Sequence, residues 1–273
     1  MTPEPVASLD DPRVTDYRDL GDPAALRNRG LFVAEGRLVV RTLLEDRRYR
    51  VRSLLLSPAA LEGLHGALEG RDDVTVYVTE VEQLSAIVGF NMHRGCVGLA
   101  ERPETAPPGA LIASVTGASL LVVTEHIANA DNVGGIFRNA LAFGAGAVLL
   151  SPDCCDPLYR KAIRVSIGGS LRVPFSIVDE WPRGLAVLKQ AGYRLVALTP
   201  DAKARELGLW AVSARPRRVA LLLGHEGSGL SEAALAMADD RVRIEMAARV
   251  DSLNVATAAG IAMYVCSGLW RHG

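Results

Sequence analysis

From residue 119 onward the chain sets down uninterrupted apolar runs at regular intervals: SLLVVTE, GAVLLSP, VPFSIV, YRLVALTP and VALLLGHE. None alternates apolar with polar residues, as a strand with one wet face would. Short continuous runs suit strands buried on both faces, as in a parallel sheet covered by helices. The intervening segments Asn132–Phe143, Asp156–Gly168, Trp181–Ala191 and Ser231–Met237 read as helices. Strand and helix in alternation predict an α/β doubly wound domain, assigned to residues 118–273. Ligands of such sheets bind beyond the carboxyl ends of the strands, so the loops there are the places to search.

The first third has a different rhythm. LFVAEG, RVRSLLLSP, VTVYVTE and RGCVGLAE predict strands, RLVVRTLLED an amphipathic helix and EVEQLSAIV a short one. Together they predict a small α/β module over residues 27–102. Residues 1–26 carry few apolar anchors and predict a loosely held arm. RPETAPPGA, rich in proline and small residues, predicts a linker within 103–117.

Composition changes this picture little. The 273 residues are 49% hydrophobic and 22% charged, with a formal net charge of −1, so no global polyelectrolyte signature marks a nucleic-acid binder. A local patch exists: Arg27, Arg29, Arg37, Arg41, Arg47, Arg48, Arg50 and Arg52 face only Glu35, Glu45 and Asp46 in the same stretch. A nucleic-acid contact and a solvated helix face are both open readings of it. Cys96, Cys154, Cys155 and Cys266 show no CxxC spacing and no nearby histidine pair. Neither a metal site nor a disulfide framework follows, and reduced thiols in a cytoplasmic protein are expected. The N-terminus lacks an apolar signal-peptide core. Ser252 to Trp270 is uncharged over 19 residues but interrupted by Asn254, Thr257, Gly260 and Ser267. It predicts a buried interface helix, not a membrane span.

Three strand-end segments could carry chemistry. NVGGIFR (residues 132–138) places Arg138 as the only charged residue between Asn132 and Pro152. Its adjacent glycines do not make GxGxxG, no GxxxxGK[ST] loop occurs, and the chain has only three lysines. A dinucleotide-dependent oxidoreductase is therefore disfavoured. Gly144 and Gly146 read as a helix stop, Asp131 or Asn132 as a helix N-cap, and Arg138 on local pattern as an outward-facing helical residue. GHEGSGL (224–230) puts three glycines around Glu226, a loop whose backbone N–H groups can meet a ligand. RIEMAARVDSLNVA (243–256) places Ser252, a candidate N-cap, Leu253 and Asn254 before a helix of small residues.

In order, Asn-x-Gly-x-x-x-Arg, Gly-x-Glu-x-x-Gly-Leu and Ser-Leu-Asn-Val-Ala resemble the three motifs of the SpoU (TrmH-type) RNA 2′-O-ribose methyltransferases of the SPOUT superfamily. RVSIGGSLRVPF (164–175) is similar to the family's serine–glycine segment, so the resemblance runs from Ser119 to Trp270. NRGLFVAEG and HRGCVGLAE make the first module similar to a ribosomal-protein-like substrate-binding domain. The resemblance implies a deep trefoil knot, a rare exception to unknotted chain paths. It implies S-adenosylmethionine as cofactor, contacted at Gly224, Ile244 and Leu253. It also implies a catalytic Arg138 with Asn132, Glu226, Ser252 and Asn254 arranging the site. Arg29, Arg37, Arg41, His93 and Arg94 would meet RNA, ribosomal RNA being favoured over transfer RNA. The C-terminal helix would form a homodimer. An arginine is a poor base, so Arg138 either acts after strong perturbation or grips a phosphate and steadies the developing alkoxide. Glu245 stands where the family usually has proline, which bears on cofactor affinity. A catalytically silent RNA-binding or ribosome-assembly factor with the same fold is the alternative.

Overall fold

In the computed structural model the described residues are 2–18, 20, 22–92, 94–117, 119–214, 216–247 and 252–268. The chain divides into two compact units, residues 1–104 with 158–171 and residues 105–157 with 172–273.

In the first unit, β1 (Glu4–Pro5), β2 (Leu31–Glu35), β3 (Val51–Leu56), β4 (Thr75–Val78) and β5 (Cys96–Glu101) form a mixed sheet ordered β1-β4-β3-β5-β2. Helices Arg37–Glu45 and Val81–Val88 stand where the periodicity put them; helix Pro58–Leu68 was not foreseen. Its start was written in Ser57-Pro58: the Ser57 hydroxyl accepts from the Ala60 N–H at 3.2 Å, and proline suits a helix's first turn.

The expected arm is instead part of the core. Val6, Val14, Tyr17 and Leu20 are buried, β1 pairs with β4, and the Tyr17 hydroxyl lies 2.7 Å from Ser53 Oγ. Its apolar residues are few, but each reaches the interior, so their number alone misled. A second difference concerns residues 158–171, which pack with this unit although the sequence pattern placed them in the downstream domain. Glu35 receives Arg160 at 3.1 Å and Arg164 at 3.4 Å, while Arg48 and Tyr49 donate to the Leu171 carbonyl at 2.7 and 3.0 Å. Of the helix expected over Asp156–Gly168, the stretch Arg160–Val165 is α-helical; Ile167 and Gly168, with φ of 51° and 76°, end it before a separate short helix, Gly169–Arg172.

In the second unit, seven strands run parallel: β6 (Ser119–Thr124), β7 (Ala147–Leu150), β8 (Phe175–Ile177), β9 (Arg194–Leu198), β10 (Arg205–Glu206), β11 (Arg218–Leu223) and β12 (Asp240–Arg243). Their order is β10-β12-β9-β11-β6-β7-β8. The five predicted apolar runs are β6, β7, β8, β9 and β11, and β6 is buried throughout. β10 and β12 escaped notice because charged residues dominate them. The stretch expected as linker contains helix Pro108–Ser114, which buries Leu111 and Ile112. Proline opens that helix instead of preventing it.

Helix Ala130–Phe143 starts on Asn129, whose side chain accepts from the Asp131 N–H at 2.8 Å, and stops at Gly144 with φ 71°. It lies against helix Val255–Gly268. A Cβ at Gly135 would stand 2.7 Å from the Ala256 Cβ, and Asn139 donates to the Ala256 carbonyl at 2.7 Å. Gly135, the second glycine of NVGGIFR, thus serves close helix packing. Among the described residues, no helix is long and apolar enough to cross a membrane, and no His, Cys, Asp and Glu side chains cluster to hold a metal.

Candidate functional site

β6 and β11 are adjacent at the point where the chain turns from one side of the sheet to the other, the usual location of a ligand crevice. The loops leaving their carboxyl ends carry the first two motifs. After β11, the loop closes on itself: His225 and Gly229 exchange backbone hydrogen bonds of 3.1 and 2.9 Å, and His225 Nδ1 accepts from the Gly227 and Ser228 N–H groups at 2.9 and 3.2 Å. Gly224 is required for this. A Cβ there would lie 2.2 Å from the Gly229 carbonyl carbon and 2.3 Å from the Leu230 nitrogen, both backbone atoms that cannot move aside cheaply.

The far end of the loop is pinned by Glu125, a buried residue at the end of β6. Its carboxylate accepts from the Ser231 N–H and hydroxyl, each at 2.7 Å, and from Trp181 Nε1 at 2.5 Å. A buried carboxylate is tolerated when its lone pairs are filled in this way.

The loop borders a cavity of about 320 Å³. Of the residues singled out in the sequence, Gly224, Glu226, Ile244, Ser252 and Leu253 line it. Its remaining wall includes Leu198, Thr199 and Pro200 at the end of β9, with Met246 and Val255. Motif spacing did not point to these; the strand-end rule applied to YRLVALTP would have found them. Glu245 is exposed and does not line the cavity.

A polar chain runs beside the cavity. Asn132 Nδ2 donates to Glu226 Oε1 in a short contact, and Asn254 Nδ2 donates to Asn132 Oδ1 at 2.8 Å. Asn254 Oδ1 accepts from the Ala256 and Thr257 N–H groups at 2.9 and 3.2 Å, so Asn254, not Ser252, caps the last helix. Asn132 likewise is not a cap but sits buried inside its helix. Arg138 is exposed on the same helix, with no hydrogen bond or ion pair among the described residues.

A histidine pair was also missed. His126, at φ 58°, packs its ring edge-on to that of His225 with 5.4 Å between centroids, and its Nδ1 makes a short contact with Asp153 Oδ2. That hydrogen bond and the charge of Asp153 raise its pKa above the ordinary histidine value.

The proposed RNA contacts divide. Arg37, Arg41 and Arg94 line a second cavity, of about 560 Å³, within the first unit. Arg29 is not among its lining residues and is ion-paired with Asp16. His93 lies outside the described residues.

Comparison with known proteins agrees with this geometry. The model of the SpoU rRNA Methylase family matches residues 119–264. An uncharacterized tRNA/rRNA methyltransferase of Mycobacterium bovis is 39% identical over 269 residues, covering 95% of this chain and 90% of the relative. A 23S rRNA (guanosine-2′-O-)-methyltransferase from a Burkholderia species is 28% identical, over 68% of this chain and 74% of its own. The crystal structure of an AdoMet-bound rRNA methyltransferase from Sinorhizobium meliloti superposes with a TM-score of 0.82 at 25% identity, covering 98% of both chains. The fold is thus that of the SPOUT methyltransferases, a parallel α/β sheet with a trefoil knot. With the family model and a full-length relative in agreement, the chain belongs to the SpoU rRNA methylase family.

Proposed function

We propose that the chain transfers a methyl group from S-adenosylmethionine to a ribose 2′-hydroxyl of RNA, ribosomal in preference to transfer RNA, with residues 118–273 as the catalytic domain and 27–102 as the substrate-binding module. The observation that carries this reading is the meeting of the second and third motif segments at one cavity, with the first tied to both beside it through the Asn132–Glu226–Asn254 chain. The rRNA methyltransferase from S. meliloti supports the cofactor, and the 23S rRNA relative supports the ribose hydroxyl and the ribosomal substrate.

The residues present suit the cofactor. Ile244, Leu253 and Met246 offer apolar surface for an adenine, and Gly224 lets bare backbone approach a ligand. Gly224, Ile244 and Leu253 are assigned to holding it. S-adenosylmethionine supplies an electrophilic methyl group when bound. The protein's part is to orient the ribose hydroxyl and accommodate the negative charge that grows on its oxygen as the proton leaves. Glu226, held by Asn132, and Ser252 at the cavity wall fix the local geometry. Arg138, exposed and without a protein partner among the described residues, is available for a substrate phosphate, which its planar guanidinium binds bidentately. Helix Val255–Gly268 is assigned to a homodimer interface.

Arg138→Ala should abolish methylation while calorimetry still detects S-adenosylmethionine binding; near-normal turnover would sink the assignment. Cofactor binding absent at millimolar concentration in the parent would favour the silent RNA-binding factor.

A further inference from the structure

The cavity in the first unit has an unusual charge balance. Several arginines elsewhere in this unit are paired with carboxylates: Arg13 with Glu4 at 2.8 Å, Arg52 with Glu101 at 2.9 Å, and Arg71 with Asp73 at 2.8 Å. At the cavity of about 560 Å³, Arg37, Arg41 and Arg94 converge, no acidic residue appears among the described lining, and none of the three has an ion pair among the described residues. Arg37 and Arg41 are four apart on helix Arg37–Glu45, a spacing at which like charges repel. Their positions are held: Arg41 donates to the Gly63 carbonyl at 2.9 Å, and a Cβ at Gly63 would meet Arg37 Nη1 at 3.0 Å. The helix's first N–H groups have no side-chain cap and add to the positive potential.

The same cavity has an apolar side. Leu38, 61% exposed, and Val81, Ala59 and Ala60 line it with the arginines. Exposing a leucine beside three guanidinium groups suits a ligand with both an anionic and a flat apolar part. We infer that this cleft binds an unpaired nucleotide of an RNA strand, its flanking phosphates on Arg37, Arg41 and Arg94 and its base against Leu38. A paired nucleotide cannot present its face, since duplex RNA stacks its bases inside and offers mainly backbone, whereas unstacked bases in loops and single strands can enter a pocket. The inference rests on the reading of the chain as an RNA-modifying enzyme and deepens it: the recognised feature is single-stranded.

The test is fluorescence anisotropy on the full chain, without cofactor, using a short single-stranded RNA and a duplex RNA of equal length across a salt series. Arg37→Ala/Arg41→Ala should weaken single-strand binding by about tenfold or more. It should also reduce the salt slope by roughly 0.7 for each phosphate that is no longer neutralised. Leu38→Ala should weaken single-strand binding severalfold with the slope unchanged, and Arg13→Ala, whose guanidinium is paired with Glu4 and Asp11, should alter neither. If thermal melting shows that the double alanine variant does not fold, Arg37→Lys/Arg41→Lys keeps the charge and should still lose single-strand affinity, because lysine cannot bind a phosphate bidentately. Equal losses for duplex and single strand would reduce the cleft to a general basic surface and overturn the proposal, as would unchanged single-strand binding in every cleft variant. No turnover enters these measurements, so failure of methyl transfer would overturn the proposed reaction and leave the cleft standing.

Discussion

Asn254 does two jobs with one amide. Its oxygen caps helix Val255–Gly268 and its nitrogen donates to Asn132, which in turn holds Glu226. The two can be separated. Asn254→Asp keeps the capping oxygen and loses the donor, so the melting temperature should hold while kcat/KM falls by roughly a hundredfold, the scale of a misplaced catalytic group. Asn254→Ala should lose the activity and also about 1 kcal/mol of stability. Equal stability losses for both variants would count against this division. The His126–Asp153 pair makes a pH prediction. The folded-state pKa of His126 is raised, chiefly by the hydrogen bond to Asp153, with Glu125 and Glu226 adding charge on the same side. A raised histidine contributes stability that is complete below its unfolded value, about 6.5, and is lost as pH climbs through the higher folded value. Melting temperature should therefore fall as pH rises through this window, and the fall should be smaller in Asp153→Asn; identical pH profiles would refute it.

At the scale of elements, the active region rests on one helix pair. Gly135 brings helix Ala130–Phe143 so close to Val255–Gly268 that even a Cβ would stand 2.7 Å from Ala256. Gly135→Val should cost about 1–3 kcal/mol through overpacking, read as a lower melting temperature. It should also reduce cofactor affinity, since the second helix carries Val255 and Ala258 of the cavity wall. A stable, tight-binding Gly135→Val protein would show that the helices can part without consequence. The parallel strands were legible because two-sided burial writes unbroken apolar runs, as in residues 120–123 of β6 and 219–223 of β11. β12 was not, because in this short strand near the sheet edge, paired with β9 and β10, only Val242 of DRVR is apolar and buried, too little for a run.

For the whole molecule, the proposed homodimer has a surface to form through. Ile261 and Tyr264 on the last helix are 38% and 62% exposed, and Leu141 on its partner helix is 40% exposed. Scattering at micromolar concentration should return the mass of a dimer, and Tyr264→Asp should shift it toward the monomer; a monomeric parent would remove the interface assignment. The family, the parallel sheet and the motif residues were readable in the chain itself, because two-sided burial and motif spacing are linear patterns. Two matters belonged to tertiary structure alone. Asn132 meets Glu226 and Asn254 across 94 and 122 positions, and only the folded path brings such partners within hydrogen-bond reach. Charge likewise acts through space. Arg29 and Arg37 look alike along the chain, yet one is neutralised by Asp16 while the other is left with Arg41 and Arg94 at the wall of a cleft.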